Sequence, residues 1–187
     1  MVLQDSLIEL MREKPISKIT IKELCQNADL NRTTFYAHYT DQYDLLRSIE
    51  DETLTWAKDA VNILNEKRSE HEIKKVLEGI CQYFADNSKH LQVLMSEQGD
   101  INFQKELFTL IYRQCGIDSL ADYSGDNASR ELYFLFIVTG SIGLIQHWLK
   151  SGIIQPANDI AGIIYHMTMI AREGAAHQLT GTFAVQL

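Results

Sequence analysis

The sequence predicts an all-α protein, and three observations carry that reading. The 187 residues hold only two prolines, Pro15 and Pro156, and ten glycines, so long intervals are free of helix breakers. Apolar residues recur at spacings of three and four along most of the chain. Residues suited to capping stand where several of these periodic stretches begin. With 45% hydrophobic residues, the chain can bury a sizeable core as one or two domains.

Leu3, Leu7, Leu10 and Met11 set a first helix of about three turns, which stops at Glu13-Lys14-Pro15. In "ITIKELCQNA", Thr20 and Glu23 form a capping box, and Leu24, Cys25 and Ala28 share one face of a short second helix. Asp29-Leu30-Asn31 makes the junction, because Asp and Asn tolerate left-handed and turn conformations. Asn31 then caps a third helix, expected to run through Tyr39. Thr40-Asp41 caps a fourth, whose apolar positions Leu45, Leu46, Ile49, Trp56, Ala60, Ile63 and Leu64 continue to Asn65. At more than about twenty residues, roughly 30 Å, this helix would connect the N-terminal head to whatever follows.

The polar run from Lys67 to Glu72 reads as the boundary between a head and a body. Helices are expected over about 73–85, 89–95 and 103–115, followed by a loop, "DYSGDNAS". The most apolar stretch is "ELYFLFIVTGSIGLIQHWL", and a last helix follows "KSGIIQP" over about 158–172. Within the apolar stretch, Leu132 to Leu149 carries no formal charge and has the length of a membrane span. Thr139, Ser141, Gln146 and His147 interrupt it, so the expectation is a buried helix of a soluble, cytoplasmic protein with no membrane partner.

Composition narrows the chemistry. Cys25, Cys81 and Cys115 are an odd number at wide spacing, the usage of reduced structural thiols. Six histidines never form an HxxxH pair and no CxxC occurs, so neither a metal site nor a cofactor is expected. No nucleophile and base pair and no phosphate loop stands out, which argues against an enzyme or a carrier. A net charge of −8 argues against a protein that coats nucleic acid indiscriminately, while leaving room for a small reading module on an acidic body.

Two short helices joined by a turn of about three residues make a helix-turn-helix, whose second helix can enter a major groove. In "NRTTFYAHY", Leu30, Phe35 and Tyr39 are expected to pack on Leu24, Cys25 and Leu7, leaving Arg32, Thr33 and Tyr36 on an outward arc flanked by Thr34 and His38. Arg reads guanine edges, Thr offers a hydroxyl and a methyl, and Tyr or His reaches phosphate oxygens. By residue type alone, a solvated face on a structural helix-turn-helix remains as open as a DNA-reading surface, and a protein-contact module is a lesser alternative.

The run "ITIKELCQNADLNRTTFYAHYTDQYDLL", Ile19 to Leu46, resembles the DNA-binding signature of the TetR family of bacterial transcriptional regulators. Thr20, Ala28, Thr34, Phe35, Tyr36, His38 and Tyr39 fill the positions of that pattern. Asp29 and Thr33 stand where the family commonly has Gly, and Gln42 where Lys is frequent; the basic residues that often precede the first helix have no counterpart here. The resemblance implies a helix-turn-helix head over 1–46 and a long connecting helix continuing to about 65. A helical body over 67–187 would bind an effector and form the dimer. It implies DNA contacts from Thr20, Lys22, Asn31, Arg32, Thr33, Thr34, Tyr36, His38, Tyr39, Thr40 and Gln42 to a double-stranded operator.

Residues 1–50 hold six Lys and Arg against eight Asp and Glu, a net of −2, so affinity for DNA should rest on where Arg12, Lys14, Lys18, Lys22 and Arg32 stand. In the body, the apolar stretches at about 129–150 and 158–172 are broader than a monomer's surface helix needs, which suits a homodimer. Gly140, Ser141, Gly143, Ala161 and Gly162 within them allow close helix approach. For a small-molecule effector of unknown identity, the candidate pocket residues are Tyr83, Phe84, Met95, Phe103, Phe108, Tyr112, Phe136, His147 and His166. Together these expectations describe a ligand-responsive regulator, and the resemblance to the TetR family implies a repressor over an activator.

Overall fold

The computed structural model of the chain describes residues 2–67, 69–114 and 127–178, with the backbone alone described at 112, 114, 127–131 and 172–178. Among the described residues the fold is all α. In order come α1 (Val2–Glu13), a short 3-10 turn (Ile16–Lys18), α2 (Ile21–Asn27), α3 (Arg32–Tyr36) and α4 (Gln42–Glu66). There follow α5 (Glu70–Asp86), α6 (Ser88–Leu94), α7 (Ile101–Gln114), α8 (Asn127–Lys150) and α9 (Ala157–Gln178). Cys115 and most of the expected 122–129 loop lie outside the described residues.

The contacts divide the chain into two units. The first comprises Met1–Ala57 and Asn87–Leu107, so the head expected over 1–46 shares its unit with α6 and the first half of α7. Its core is built from one face of each helix: Leu7 and Met11 of α1, Leu24 of α2, Phe35 of α3, Leu45 of α4 and Leu94 of α6 are all fully enclosed. Each such side chain contributes about 1.5–3 kcal/mol of burial. Polar groups join the same packing: Ser6 donates to the Leu24 carbonyl at 3.0 Å, and Asn27 donates to Ser6 at 3.2 Å. The α6–α7 turn is tight enough to require glycine, since a Cβ on Gly99 would stand 2.1 Å from the Leu94 carbonyl oxygen. The Gln104 amide then closes the turn, donating to the Leu94 and Ser96 carbonyls at 2.8 Å each.

The second unit comprises Lys58–Asp86 and Phe108–Leu187. Here α5, α8 and α9 bury Cys81, Trp148, Ile160, Ala161 and Ile164, with Leu77, Phe84, Leu144 and Ile145 against them. Trp148 satisfies its indole N–H on the Gln155 carbonyl at 2.9 Å, which ties the end of α8 to the corner before α9. A smaller cluster of Phe134 and Val138 packs with Ile111, Tyr133 and Ile142. The Cys81 thiol is pushed up to about 11 by burial, as suits a structural thiol.

Three expectations about elements need correction. The third helix ends at Tyr36, not Tyr39, because Ala37 is its C-cap and the chain continues as a turn, with the His38 and Tyr39 amides both donating to the Phe35 carbonyl. The helix expected from about residue 73 begins at Glu70, inside the polar run: Ser69 and Glu72 make a second capping box, the hydroxyl donating at 2.7 Å to the carboxylate. The helix expected to be buried, α8, is only partly covered within the chain, leaving Leu132 67%, Leu135 44% and Phe136 68% exposed. Residues Leu132–Lys150 are long and apolar enough to cross a membrane by length and composition.

Candidate nucleic-acid interface

Local chemistry fixes the two helices of the motif before any tertiary contact is counted. Thr20 accepts from the Glu23 amide at 3.2 Å, and the Thr20 amide donates to Glu23 at 3.0 Å, closing the capping box. Lys14 reaches the same carboxylate at 2.6 Å. That ammonium, followed by the Thr20 amide and hydroxyl, holds the Glu23 carboxyl down at about 2 from an ordinary 4.5. Lys14, one of the cations expected to matter for DNA affinity, is thus ion-paired to α2 and only partly exposed.

At the other end of α2, Asp29 takes φ +52°, the left-handed region its short side chain tolerates. The Leu30 amide donates to the Cys25 carbonyl at 2.9 Å, and the Asp29 amide to Gln26 at 3.3 Å. This is a Schellman closure with Asp at the position glycine usually takes. Leu30, expected to pack inward, emerges 37% exposed because the reversal turns it away from α2.

Asn31 caps α3, its Oδ1 accepting from the Thr34 amide at 2.8 Å and the Thr34 hydroxyl at 3.1 Å. Two of the expected DNA-contacting groups thus satisfy each other, and Thr34 is half-buried. Phe35 is fully enclosed and anchors the helix. Tyr36 meets it edge to face at 5.4 Å, and Tyr39, half-buried, lies 5.9 Å from it. The outward arc consists of Arg32, Thr33 and Tyr36, all exposed, Tyr36 by 58%. Exposed His38 lies 6.3 Å from Tyr39, ring to ring.

Thr20 and Lys22 are exposed at the start of α2, and Arg12, Lys18 and Arg32 are exposed cations of the same unit. Exposed Thr40 has its amide and hydroxyl directed to Asp44 at 2.8 and 3.1 Å, which holds that carboxyl below its ordinary value. Asp41 caps α4 by accepting from the Asp44 amide at 2.7 Å. Gln42 is half-buried in the first turn of α4, whereas Tyr43 beside it is 41% exposed. Tyr43 escaped the sequence reading; the available signal was a bulky aromatic in an otherwise polar helix start.

The candidate effector residues are divided between the two units. Met95 and Phe103 belong to the first unit, whereas Tyr83, Phe84, Phe108, Phe136, His147 and His166 belong to the second. Phe84 packs in the core of that unit, with Tyr83 edge to face against it at 6.4 Å. Phe136, His147 and His166 are exposed, on the faces of α8 and α9 turned away from their shared core. Phe103 is buried, and Met95 and Phe108 are half-buried. The side chain of Tyr112 lies outside the described ones. A cavity of about 360 Å³, open and lined by Lys75, Glu78, Gly79, Gln82, Pro156, Ala157 and Asn158, contains none of these residues.

The body supplies the observation that decides the family. A model of the TetR class, described as the transcriptional regulator C-terminal region, matches residues 71–169, more than half of the chain. The chain belongs to the TetR family of transcriptional regulators. This match falls on the opposite end of the TetR-family chain from the head motif, so the two signals are independent. Among curated proteins none matches the sequence.

Solved structures agree on the fold. The fatty acid degradation regulator FadR from Bacillus halodurans superposes with a TM-score of 0.66 at 12% identity, covering 90% of this TetR-family chain and 93% of that one. FadR from Bacillus subtilis in complex with stearoyl-CoA gives 0.63 at 11%, covering 90% and 96%. A TetR transcriptional regulator from Streptococcus agalactiae gives 0.59 at 19%, covering 89% and 91%.

Proposed function

We propose that this regulator is a repressor that binds a near-palindromic operator as a homodimer and is released by a small effector, acting in the cytoplasm without a cofactor. The observation that carries the DNA-reading part is the two-sidedness of α3: Phe35 is fully enclosed while Arg32, Thr33 and Tyr36 face solvent. Arg32 is the base-reading group, and Thr33 supplies a hydroxyl and a methyl. Tyr36, His38, Thr20, Lys22, Thr40 and Tyr43 would contact the phosphates, which position without specifying. Asn31 and Thr34 act mainly by holding the helix start, and Tyr39 and Gln42 by supporting the turn into α4. The division of labour is a reading head over 1–46 and an effector and dimer body over 67–187.

Dimerisation is supported by the uncovered faces of the last two helices. Leu132, Leu135 and Phe136 on α8, and Ile163, Met167 and Ile170 on α9, are each 43% exposed or more and recur at helical spacing. Contiguous apolar faces of this kind call for a partner. A Cβ on Gly140, Gly143 or Gly162 would meet nothing within 4 Å, so the chain's own packing does not require glycine there. A second copy crossing those faces would make use of the open space there, and an isologous four-helix interface would cover both helices. Two such heads would stand about 34 Å apart, one DNA turn. Effector binding would favour one body conformation and, through α4, change that separation; the stearoyl-CoA held by Bacillus subtilis FadR is a precedent for a small effector on this fold.

The test is operator affinity, measured by fluorescence anisotropy on DNA upstream of the chain's own gene. Arg32→Ala should weaken binding by about 1–3 kcal/mol, roughly fivefold to over a hundredfold, and Tyr36→Phe by less, with helicity unchanged. If both variants bind as tightly as the parent, this face is not the reading surface.

A further inference from the structure

Glu50 stands in the middle of α4, beside Ile49 and a turn before Thr53, both of them buried, and only 7% of Glu50 is exposed. Its Oε1 is fully enclosed and meets no hydrogen-bond donor. An ionised carboxylate in that position loses water without gaining a partner, which is costly; a neutral acid loses far less. The charges around it are mostly of its own sign. They are Asp51 on α4, Asp100 in the turn before α7 and Glu106 on α7, against one cation, Arg47, a turn earlier on α4. Arg47 also lies 3.7 Å from Asp44, so its charge is shared.

The acidic neighbour from the turn is held in place. Gly99 permits the close approach to Leu94, Gln104 ties both ends of the turn, and Asp100 itself accepts from the Asn102 amide at 2.7 Å. All of these residues belong to the unit that joins 87–107 to the head. A second polar contact serves the same assembly, His90 of α6 at 2.8 Å from Asp5 of α1.

We propose that Glu50 is a protonation switch within this unit: as a neutral acid it lets the 87–107 segment pack with the head, and its ionisation loosens that packing. Burial first, then the Asp100 and Asp51 charges, push its carboxyl up to about 7 from an ordinary 4.5. Between those two values the folded chain binds a proton that the unfolded chain has released. The stability contributed is therefore complete below the lower value and is lost as pH rises through the upper one. A switch set there responds to changes around neutrality, and it acts on the unit carrying the reading helix.

The experiment compares thermal unfolding of the full chain with Glu50→Gln and Glu50→Leu from about pH 5 to about pH 8. Hydrogen exchange of residues 100–107 is compared between the same proteins at each pH. The parent should lose several degrees of midpoint relative to both variants as pH rises, and its 100–107 amides should gain exchange over theirs only at the alkaline end. Parallel midpoints and exchange for parent and whichever variant folds would overturn the proposal. No DNA is present in these measurements, so their outcome is separate from that of the reading face.

Discussion

At the scale of single residues, the motif is held by short-range chemistry that acts before packing does. Asp29 is the clearest case: a non-glycine residue at φ +52° on which the turn between α2 and α3 depends. Asp29→Gly should be neutral or slightly stabilising, and Asp29→Ala should cost about 1 kcal/mol, because alanine lacks both glycine's freedom and the local hydrogen bonding that eases Asp into this region. Urea unfolding of the two variants checks the order. Glu23 gives a prediction with a sign. Its carboxyl is held at about 2 in the fold against 4.5 ordinarily, by Lys14 first and Thr20 next. The stability it confers is present above the higher value and fades as pH falls toward the lower one. The gap in melting temperature between parent and Glu23→Gln should accordingly shrink between about pH 5 and about pH 2.5. Glu50 has the opposite slope, so acid and base limbs of the parent's pH profile report on different carboxylates.

At the scale of elements, what could be read in advance follows from the range of the forces involved. The caps at Thr20, Asn31 and Asp41 act within one turn, and each was legible as a residue type three positions ahead of its partner. The outward arc of α3 was legible for the same reason, since 100° per residue fixes Arg32, Thr33 and Tyr36 once Phe35 points inward. The end of α3 was not, because a five-residue helix obeys its C-cap more than its periodicity. Leu30 was misplaced by a different turn, the reversal at Asp29 between α2 and α3. Glu50 was invisible as a buried group: a glutamate on a long helix reads as solvated, and only α4's packing within the first unit encloses it. Burial was hard to read for Phe136 and His166, which share helices with core residues and differ from them only in angle around the axis.

At the scale of the whole molecule, two features of the sequence alone anticipated the family, the head motif and the long breaker-free helices. The division into units did not follow from them. It depends on α6 and the first half of α7 returning to the head, a pairing of segments whose nearest ends, Ala57 and Asn87, are 30 positions apart in sequence. The uncovered faces of α8 and α9 make the assembly testable. Phe136→Asp together with Met167→Glu should convert a dimer into a folded monomer at micromolar concentration, as judged by sedimentation, because two carboxylates would be desolvated on each side of a shared apolar face. The same protein should lose most of its operator affinity, since each head alone makes half the contacts. A dimer that survives both substitutions would place the interface elsewhere.

The 25 residues of α4 belong to both units, with the division falling between Ala57 and Lys58 and no glycine or proline inside the helix. The reading motif is consequently not a cassette. A gene fusion that grafts residues 1–57 onto another sensor would sever a continuous rod and abandon the returning segment that completes its core. Productive chimeras should have to carry 87–107 along with the graft, or exchange surface side chains of α3 while leaving the backbone whole.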